Sequence, residues 1–236
     1  MKEIKSIEEW KKQVNEYLNS LNHELQKDEK AKELYYGFDV IDGMLIKNPL
    51  ILFVGINPGK GNGERHFEVK MESNRISYLD VFNTEVEDKY DYPLAKNTIK
   101  LLIGAGYAED EIIKLLTKSC VKTNLYHVIT DKEDDIKNIF GSISSINIKD
   151  YYDISSMFCV ELIKLINPKI VIFEGKSAYN QIVVECYEEV NSWDENLGFG
   201  HFYDQSLDLH LIGYARTYSN INSIDNVASK LKEVLI

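Results

Sequence analysis

Two asparagines follow apolar stretches of this chain, where a carboxamide could act on a bound molecule. Asn57 lies in "GINPG", directly after the apolar run that begins at Leu50, and Asn124 lies in "VKTNLYHV", a second apolar segment. A carboxamide carries both a donor and an acceptor, so Asn57 could orient a water molecule and Asn124 could pair with the edge of a pyrimidine. The structural alternatives stay open, because asparagine is also common in turns and could tie two strands together.

The glycines of this segment match neither of the common nucleotide-binding motifs. A P-loop requires G-x-x-x-x-G-K-[ST], whereas Gly55 and Gly59 are one residue too close and Lys60 is followed by Gly61. A dinucleotide fingerprint requires G-x-G-x-x-G, and Gly59, Gly61 and Gly63 do not have that spacing. Both motifs are therefore excluded, and we expect Gly55 and Gly59 to let backbone approach a ligand closely.

Four short apolar runs alternate with helical patterns along the chain. The runs are "PLILFVGIN", "CVKTNLYHV", "KIVIFEG" and "DLHLIGYA". Apolar strands that alternate with helices are typical of a parallel sheet covered on both faces. The sequence therefore predicts an α/β fold of three layers, α/β/α, around a central, mainly parallel four-stranded sheet. The "GINPG" strand should be central, with ligands bound at the carboxyl ends of the strands.

The rest of the chain fits a single domain of residues 1–236 with an N-terminal helical extension at about 1–45. "SIEEWKKQVNEYLNSLNHEL" has the apolar spacing of an amphipathic helix, capped by Ser6. The segment "GFDVIDGMLIKN" predicts a short hairpin or a loop. The acidic segment "DKEDDIKN" predicts a solvated loop.

Composition limits the classes of function. The chain has 236 residues, 44% of them hydrophobic, and a net charge of −11. Such a charge argues against a general polyanion binder, which needs clustered Lys and Arg. No apolar run is long enough for a membrane span and the start lacks a signal peptide, so a cytoplasmic protein is expected. Three dispersed cysteines without a CxxC pair predict neither a zinc nor an iron–sulfur site, and we expect no metal and no cofactor.

The order of the segments resembles that of a known family. "GINPG" resembles the first motif of the uracil-DNA glycosylase superfamily, in the form found in its mismatch-specific uracil/thymine branch. "VKTNLYHV" is similar to the second strand, "NPKIVIFEGKSAYNQI" to the third strand and the turn after it, and "HLIGYARTYSN" occupies the place of the fourth. The resemblance extends over residues 50–220.

This resemblance implies a monofunctional DNA glycosylase that hydrolyses the N-glycosidic bond of uracil or a related damaged pyrimidine. It implies a catalytic role for Asn57, pyrimidine recognition by Asn124, and a pocket that also includes Gly55, Ile56, Pro58 and Gly59. The family's His-Pro-Ser motif is replaced here by "YARTYS", without histidine or proline. A first motif without a carboxylate implies a slow enzyme.

The partner that the resemblance implies is DNA, damaged or mispaired or single-stranded, bound by a monomer without membrane contact. Lys60, Arg65, Arg75 and Arg216 are the candidate phosphate contacts. A solvated loop or helix would show the same charges from Lys60 to Arg75, and Arg216 could instead pair with an acidic neighbour. No aromatic residue can be assigned as the one on which an extruded base would stack. We expect the histidines to have structural roles and not to bind a metal. The alternative function is a glycosylase-like module that binds a nucleobase, a nucleotide or a protein without cleavage.

Overall fold

The computed structural model describes residues 4–60, 65–82, 92–141, 143 and 146–235. Within these residues the helices are α1 (Ile7–Leu25), α2 (Glu29–Leu34), α3 (Pro93–Gly104), α4 (Glu109–Lys118), α5 (Glu133–Gly141), α6 (Ile148–Ile166), α7 (Lys176–Tyr179) and α8 (Ile224–Leu235). A 3₁₀ helix covers Ser77–Phe82, and a π-helical turn, Asn180–Val184, continues α7. The strands are β1 (Phe38–Asp42), β2 (Ile51–Gly55), β3 (Val69–Glu72), β4 (Cys120–Asn124), β5 (Ile170–Phe173), β6 (Trp193–Asp194), β7 (Phe199–Asp204), β8 (Leu209–Tyr214), β9 (Arg216–Thr217) and β10 (Asn220–Ile221).

The main sheet has the order β3-β1-β4-β2-β5-β8-β7-β6. The four strands expected from the sequence are neighbours in it, β4-β2-β5-β8, and all three of their pairings are parallel. The prediction of an α/β fold around a mostly parallel sheet is confirmed, and the "GINPG" strand is central. The prediction of four strands is wrong, because the described sheet has eight strands and is mixed.

The extra strands flank the parallel centre on both sides. β1 pairs antiparallel with β4 and parallel with β3, while β7 pairs antiparallel with β8 and with β6. Their sequences mix polar and apolar residues, as expected for strands away from the doubly covered centre. "GFDVID" therefore forms a strand of the main sheet, at the end of the predicted helical extension, rather than a hairpin or a loop.

Helices cover both faces of the sheet because the central strands are apolar on both sides. Leu52 and Val54 lie in the core beneath α1, α2, α5 and α6, whereas Ile51 and Phe53 lie in the core beneath α3, α4 and α8. Successive side chains of a strand point to opposite faces, so one short run serves both cores. No helix of the described chain is both long enough and apolar enough to cross a membrane.

One predicted loop is a helix. "DKEDDIKN" was expected to be solvated, but Glu133–Gly141 forms α5. Acidic residues occupy its first turn, where the helix dipole favours negative charge, and Ile136, Ile139 and Phe140 are buried against the core. The apolar residues of α5 begin only after the acidic ones, so the amphipathic pattern is not evident from the acidic segment itself.

Candidate functional site at the carboxyl edge of the sheet

Asn57 lies in the turn after β2, and a hydroxyl fixes the orientation of its side chain. Its Nδ2 donates to Thr130 Oγ1 at 2.8 Å and to the Pro58 carbonyl at 3.1 Å. Thr130 Oγ1 donates in turn to the Lys132 carbonyl at 2.8 Å, so it can only accept from Asn57. The amide nitrogen must therefore face Thr130, and the carbonyl oxygen Oδ1 is the atom left to act on a ligand.

Asn124 ends β4 and is 7% exposed. It pairs in register with Gly55, the last residue of β2. A Cβ placed on Gly55 would clash with Asn124 Oδ1 and lie 3.6 Å from Glu174 Oε2. Gly55 is thus needed because the Asn124 and Glu174 side chains fill the space beside it. The expected close approach at Gly55 is made by these two side chains.

Glu174, directly after β5, is a site residue that the sequence analysis missed. It is 1% exposed; Oε1 accepts a hydrogen bond from the Tyr78 hydroxyl, and Oε2 has no described partner. Lys122 of β4 lies over the Tyr78 ring at 5.0 Å and forms a 2.7 Å ion pair with Asp42. Lys122 and Asn124 are two positions apart in β4, so their side chains point to the same face of the sheet. Glu174 lies on that face too.

Burial controls the charges of this cluster. It raises the pKa of Glu174, and Lys122, the Tyr78 hydroxyl and Arg216 offset this only in part. Burial opposes the charge on Lys122 as well, but the surrounding Tyr92, Asp42 and Glu174 outweigh it and raise the pKa of the ammonium group. Burial also opposes the charge on Asp42, yet Lys122 and Ser77 outweigh it and lower the pKa. The ion pair is therefore charged, while Glu174 is shifted toward its neutral form.

Three of the four candidate phosphate contacts have partners within the chain. Lys60 forms a 2.8 Å ion pair with Asp131, and Arg75 pairs with Asp80. Arg65 donates to the Glu33 carbonyl at 2.6 Å and lies over the Tyr36 ring.

Arg216 differs from these three cations. In the described part of the chain, no hydrogen bond or ion pair uses its guanidinium, which is half-buried beside the turn after β5. Its Nε lies 3.7 Å from the position that a Cβ on Gly175 would take. Arg216 also lowers the pKa of Glu133, which burial raises. Of the four candidate phosphate contacts, Arg216 is therefore the one whose guanidinium has no described partner.

The other residues of the "GINPG" motif contribute backbone. The Ile56 side chain is buried in the core, and its carbonyl accepts from Tyr126 N at 2.8 Å. The Pro58 carbonyl accepts from Thr130 N at 3.3 Å, and Gly59 bridges to Thr130 in parallel register. Gly59 has open space where a Cβ would lie. Ile56 and Gly59 can therefore offer only backbone atoms to a ligand at this turn.

Asn57 and Asn124 lie at the same edge but have different partners. Asn57 bonds to Thr130 in the loop after β4, whereas Asn124 contacts Gly55 beside Glu174. The sequence does contain an indication that Glu174 is unusual, because "KIVIFEG" places a carboxylate directly after four residues that are all buried. A charged residue in that position needs a partner inside the protein, and only the structure supplies Tyr78 and Lys122.

Other polar features do not add to this edge. A cavity of about 310 Å³ lies at the opposite, amino-terminal edge of the strands, lined by Leu50, Ser119 and Lys169 among others. The searched, described residues contain no group of three or more His, Cys, Asp or Glu arranged to hold a metal ion. His201 and His210 hydrogen-bond to each other at 3.0 Å, and His127 is buried with neither ring nitrogen bonded.

Comparison with models of protein families gives no match for this chain, and comparison with curated proteins gives none either.

Proposed function

We propose that the chain is a monofunctional DNA glycosylase that hydrolyses the N-glycosidic bond of uracil or a related damaged pyrimidine. The observation that carries the proposal is the fixed orientation of Asn57. Thr130 holds the amide nitrogen, and Oδ1 is left at the carboxyl edge of a parallel sheet, where α/β folds bind ligands. A carbonyl oxygen held in this way can position a water molecule for attack on a sugar carbon.

The remaining roles follow from chemistry at the same edge. Asn124 offers a donor and an acceptor to the edge of an extruded pyrimidine. The base leaves as an anion, and a cation or backbone N–H groups near its oxygen stabilise that charge. In the proposal the backbone N–H groups of Ile56 and Gly59 stabilise this charge, and Arg216 contacts a phosphate of the bound strand.

The proposed site implies a slow reaction. A neutral carboxamide orients water but is a poor base, and general base catalysis typically contributes about 10²- to 10⁴-fold. Most selectivity then comes from the ease with which the base leaves the stack, which is greatest for mispaired or unpaired bases. We therefore expect better excision from U·G pairs and single strands than from U·A pairs.

One observation favours a second function, a non-catalytic module that binds a nucleobase or nucleotide. Lys60, Arg65 and Arg75 are engaged within the chain, so Arg216 is the one of the four candidate phosphate contacts without a described partner. Such a module would use Asn124 and Arg216 for recognition without turnover.

The two functions are separated by incubating the protein with single-stranded, U·G and U·A oligonucleotides and cleaving abasic sites with alkali. The glycosylase predicts slow strand cleavage that is lost in Asn57→Ala and kept in Asn19→Ala, an exposed asparagine on α1. Thermal unfolding of both variants controls for folding. No cleavage of any substrate, together with measurable binding of uracil or a nucleotide, would favour the module.

A further inference from the structure

Glu174 has one carboxyl oxygen that the fold does not use. The residue is 1% exposed, and its Oε1 accepts a hydrogen bond from the Tyr78 hydroxyl. Its Oε2 is buried and has no hydrogen-bond partner among the described residues. A buried polar atom without a partner destabilises a folded protein, so such atoms are rare. The contact with Tyr78 accounts for Oε1 and leaves Oε2 to be explained.

The free oxygen of Glu174 and the side chain of Asn124 meet beside Gly55. A Cβ on Gly55 would clash with Asn124 Oδ1 and lie 3.6 Å from Glu174 Oε2, so the two oxygen atoms are neighbours. Among the described residues, no hydrogen bond uses the Asn124 carboxamide. Two neighbouring acceptor oxygens repel each other unless one of them carries a proton. The arrangement therefore fits a carboxylic acid that donates to the amide oxygen.

The groups around Glu174 favour its neutral form. Lys122 is a cation on β4, but its ammonium group donates to Asp42 at 2.7 Å. Burial raises the pKa of Glu174, and Lys122, Tyr78 and Arg216 offset this only in part. The titratable and charged groups that face the carboxyl group are Tyr78 of the 3₁₀ helix, Asp42 of β1, Lys122 of β4, Tyr214 of β8 and Arg216 of β9. None of them is a hydrogen-bond partner of Oε2.

We infer that Glu174 is a positioning residue that, as a neutral acid, donates a hydrogen bond from Oε2 to Asn124 Oδ1 and turns Asn124 Nδ2 toward the ligand. A carboxamide can present either end, so the proton on Glu174 determines which end is offered. With Nδ2 outward, the site accepts a pyrimidine with an oxygen at C4, such as uracil, and disfavours cytosine, which has a donor amino group there. Glu174 acts through Asn124 because Oε2 itself is buried. The choice of a pyrimidine as ligand rests on the proposed function.

Loss of this proton would reverse the arrangement. An ionised Glu174 only accepts hydrogen bonds, so Asn124 would turn Nδ2 to Oε2 and offer Oδ1 to the ligand. Because burial raises the pKa of Glu174 above the ordinary 4.5, the acid form prevails at low pH and is lost as pH rises through the raised value. The preference for uracil over cytosine should therefore fall with rising pH. In Glu174→Gln the amide nitrogen would donate to Asn124 Oδ1 at every pH, and the amide oxygen would still accept from Tyr78.

The test is a titration with free uracil and free cytosine, which measures recognition without turnover. Binding is followed by NMR spectroscopy of the protein, and the ratio of the two Kd values is compared between variants. At about pH 5 the wild type and Glu174→Gln should both prefer uracil by roughly tenfold, whereas Glu174→Leu should bind the two bases within about threefold of each other. Glu16→Leu, at an exposed position of α1, is the matched control and should keep the wild-type ratio.

The pH dependence separates positioning from a purely structural role. Between about pH 5 and 9 the preference of the wild type should decline, while that of Glu174→Gln stays constant. Thermal unfolding shows whether each variant is folded, and the comparison of wild type with Glu174→Gln decides the matter if Glu174→Leu is not.

Three results would overturn the inference. They are a wild type that binds neither base or binds both equally, a folded Glu174→Leu variant that keeps the preference, and a preference whose pH dependence is the same in wild type and Glu174→Gln. Recognition that depends on Glu174, without excision of uracil from any oligonucleotide, would contradict the proposed function alone. Excision by a chain that binds both free bases equally would contradict only the role of Glu174.

Discussion

At the scale of single residues, the carboxyl edge depends on contacts between neighbouring strand ends. Asn57 and Asn124 could be selected from the sequence, because each ends an apolar run with a donor and an acceptor. Glu174 could not be assigned a role in this way, since its partners Tyr78 and Lys122 come from distant segments. The space beside Gly55 likewise depends on register, which the sequence does not specify.

Gly55→Ala tests the packing of Asn124. The added methyl group would clash with Asn124 Oδ1, so the asparagine must move and excision or nucleobase binding should fall by at least tenfold. Overpacking of this kind costs about 1–3 kcal/mol of stability. Gly59→Ala is the matched control, because a Cβ there meets nothing within 4 Å. Equal activity in the two variants, measured beside urea unfolding, would contradict this account of Asn124.

Glu174→Gln tests the protonation of the buried carboxyl group. Burial raises the pKa of Glu174 above the ordinary value of 4.5. The stability that this group contributes is therefore complete below about pH 4.5 and is lost as pH rises through the folded-state pKa. Gln does not ionise, so the free energy of unfolding of Glu174→Gln should increase relative to wild type between pH 4.5 and 8. A pH-independent difference would show that Lys122 and Arg216 keep Glu174 charged.

At the scale of elements, the sequence predicted the parts that are apolar and periodic. The four central strands, the N-terminal helix α1 and the presence of helices between the strands follow from such patterns. The flanking strands were missed, because β1 and β7 mix polar and apolar residues without a clear period and pair with β4 and β8. Helix α5 was missed because its acidic first turn precedes its apolar residues.

Lys122→Ala tests the ion pair that joins β1 to β4. Lys122 and Asp42 are paired in the strand register, and their side chains are only 8% and 20% exposed. Removing the lysine leaves Asp42 without its counter-charge, which should lower the free energy of unfolding by about 3 kcal/mol. Lys114→Ala removes an exposed pair with Asp110, so its free energy of unfolding should stay close to that of the wild type. Similar losses for both in urea denaturation would argue against a special role of the buried pair.

At the scale of the whole molecule, layering and charge are set by different residues. The three layers follow from strands that are apolar on both faces, and this much could be predicted from the sequence. The net charge of −11 is a property of the surface, and the structure shows that Lys60 and Arg75 are already paired there. Binding of DNA through the four candidate contacts would therefore involve few phosphates.

This charge distribution predicts a weak dependence of single-strand binding on salt. Each neutralised phosphate contributes a slope of about −0.7 in log K against log salt for single strands. With Arg216 as the one candidate phosphate contact that has no described partner, the slope should lie near −0.7, and Arg216→Gln should bring it close to zero. A slope steeper than about −3 in titrations between 50 and 200 mM salt would mean that a basic surface contributes instead.

The central claim is that Asn57 Oδ1 positions the attacking water, and the rate of uracil release by Asn57→Asp tests it most directly. The substitution supplies a base, and its second oxygen takes the place of the amide nitrogen if the Thr130 hydroxyl turns from the Lys132 carbonyl to donate to it. Single-turnover release from a U·G oligonucleotide should then become about 10- to 100-fold faster than in wild type. Asn57→Ala should release no uracil while remaining folded. Equal rates in wild type, Asn57→Asp and Asn57→Ala would contradict the account.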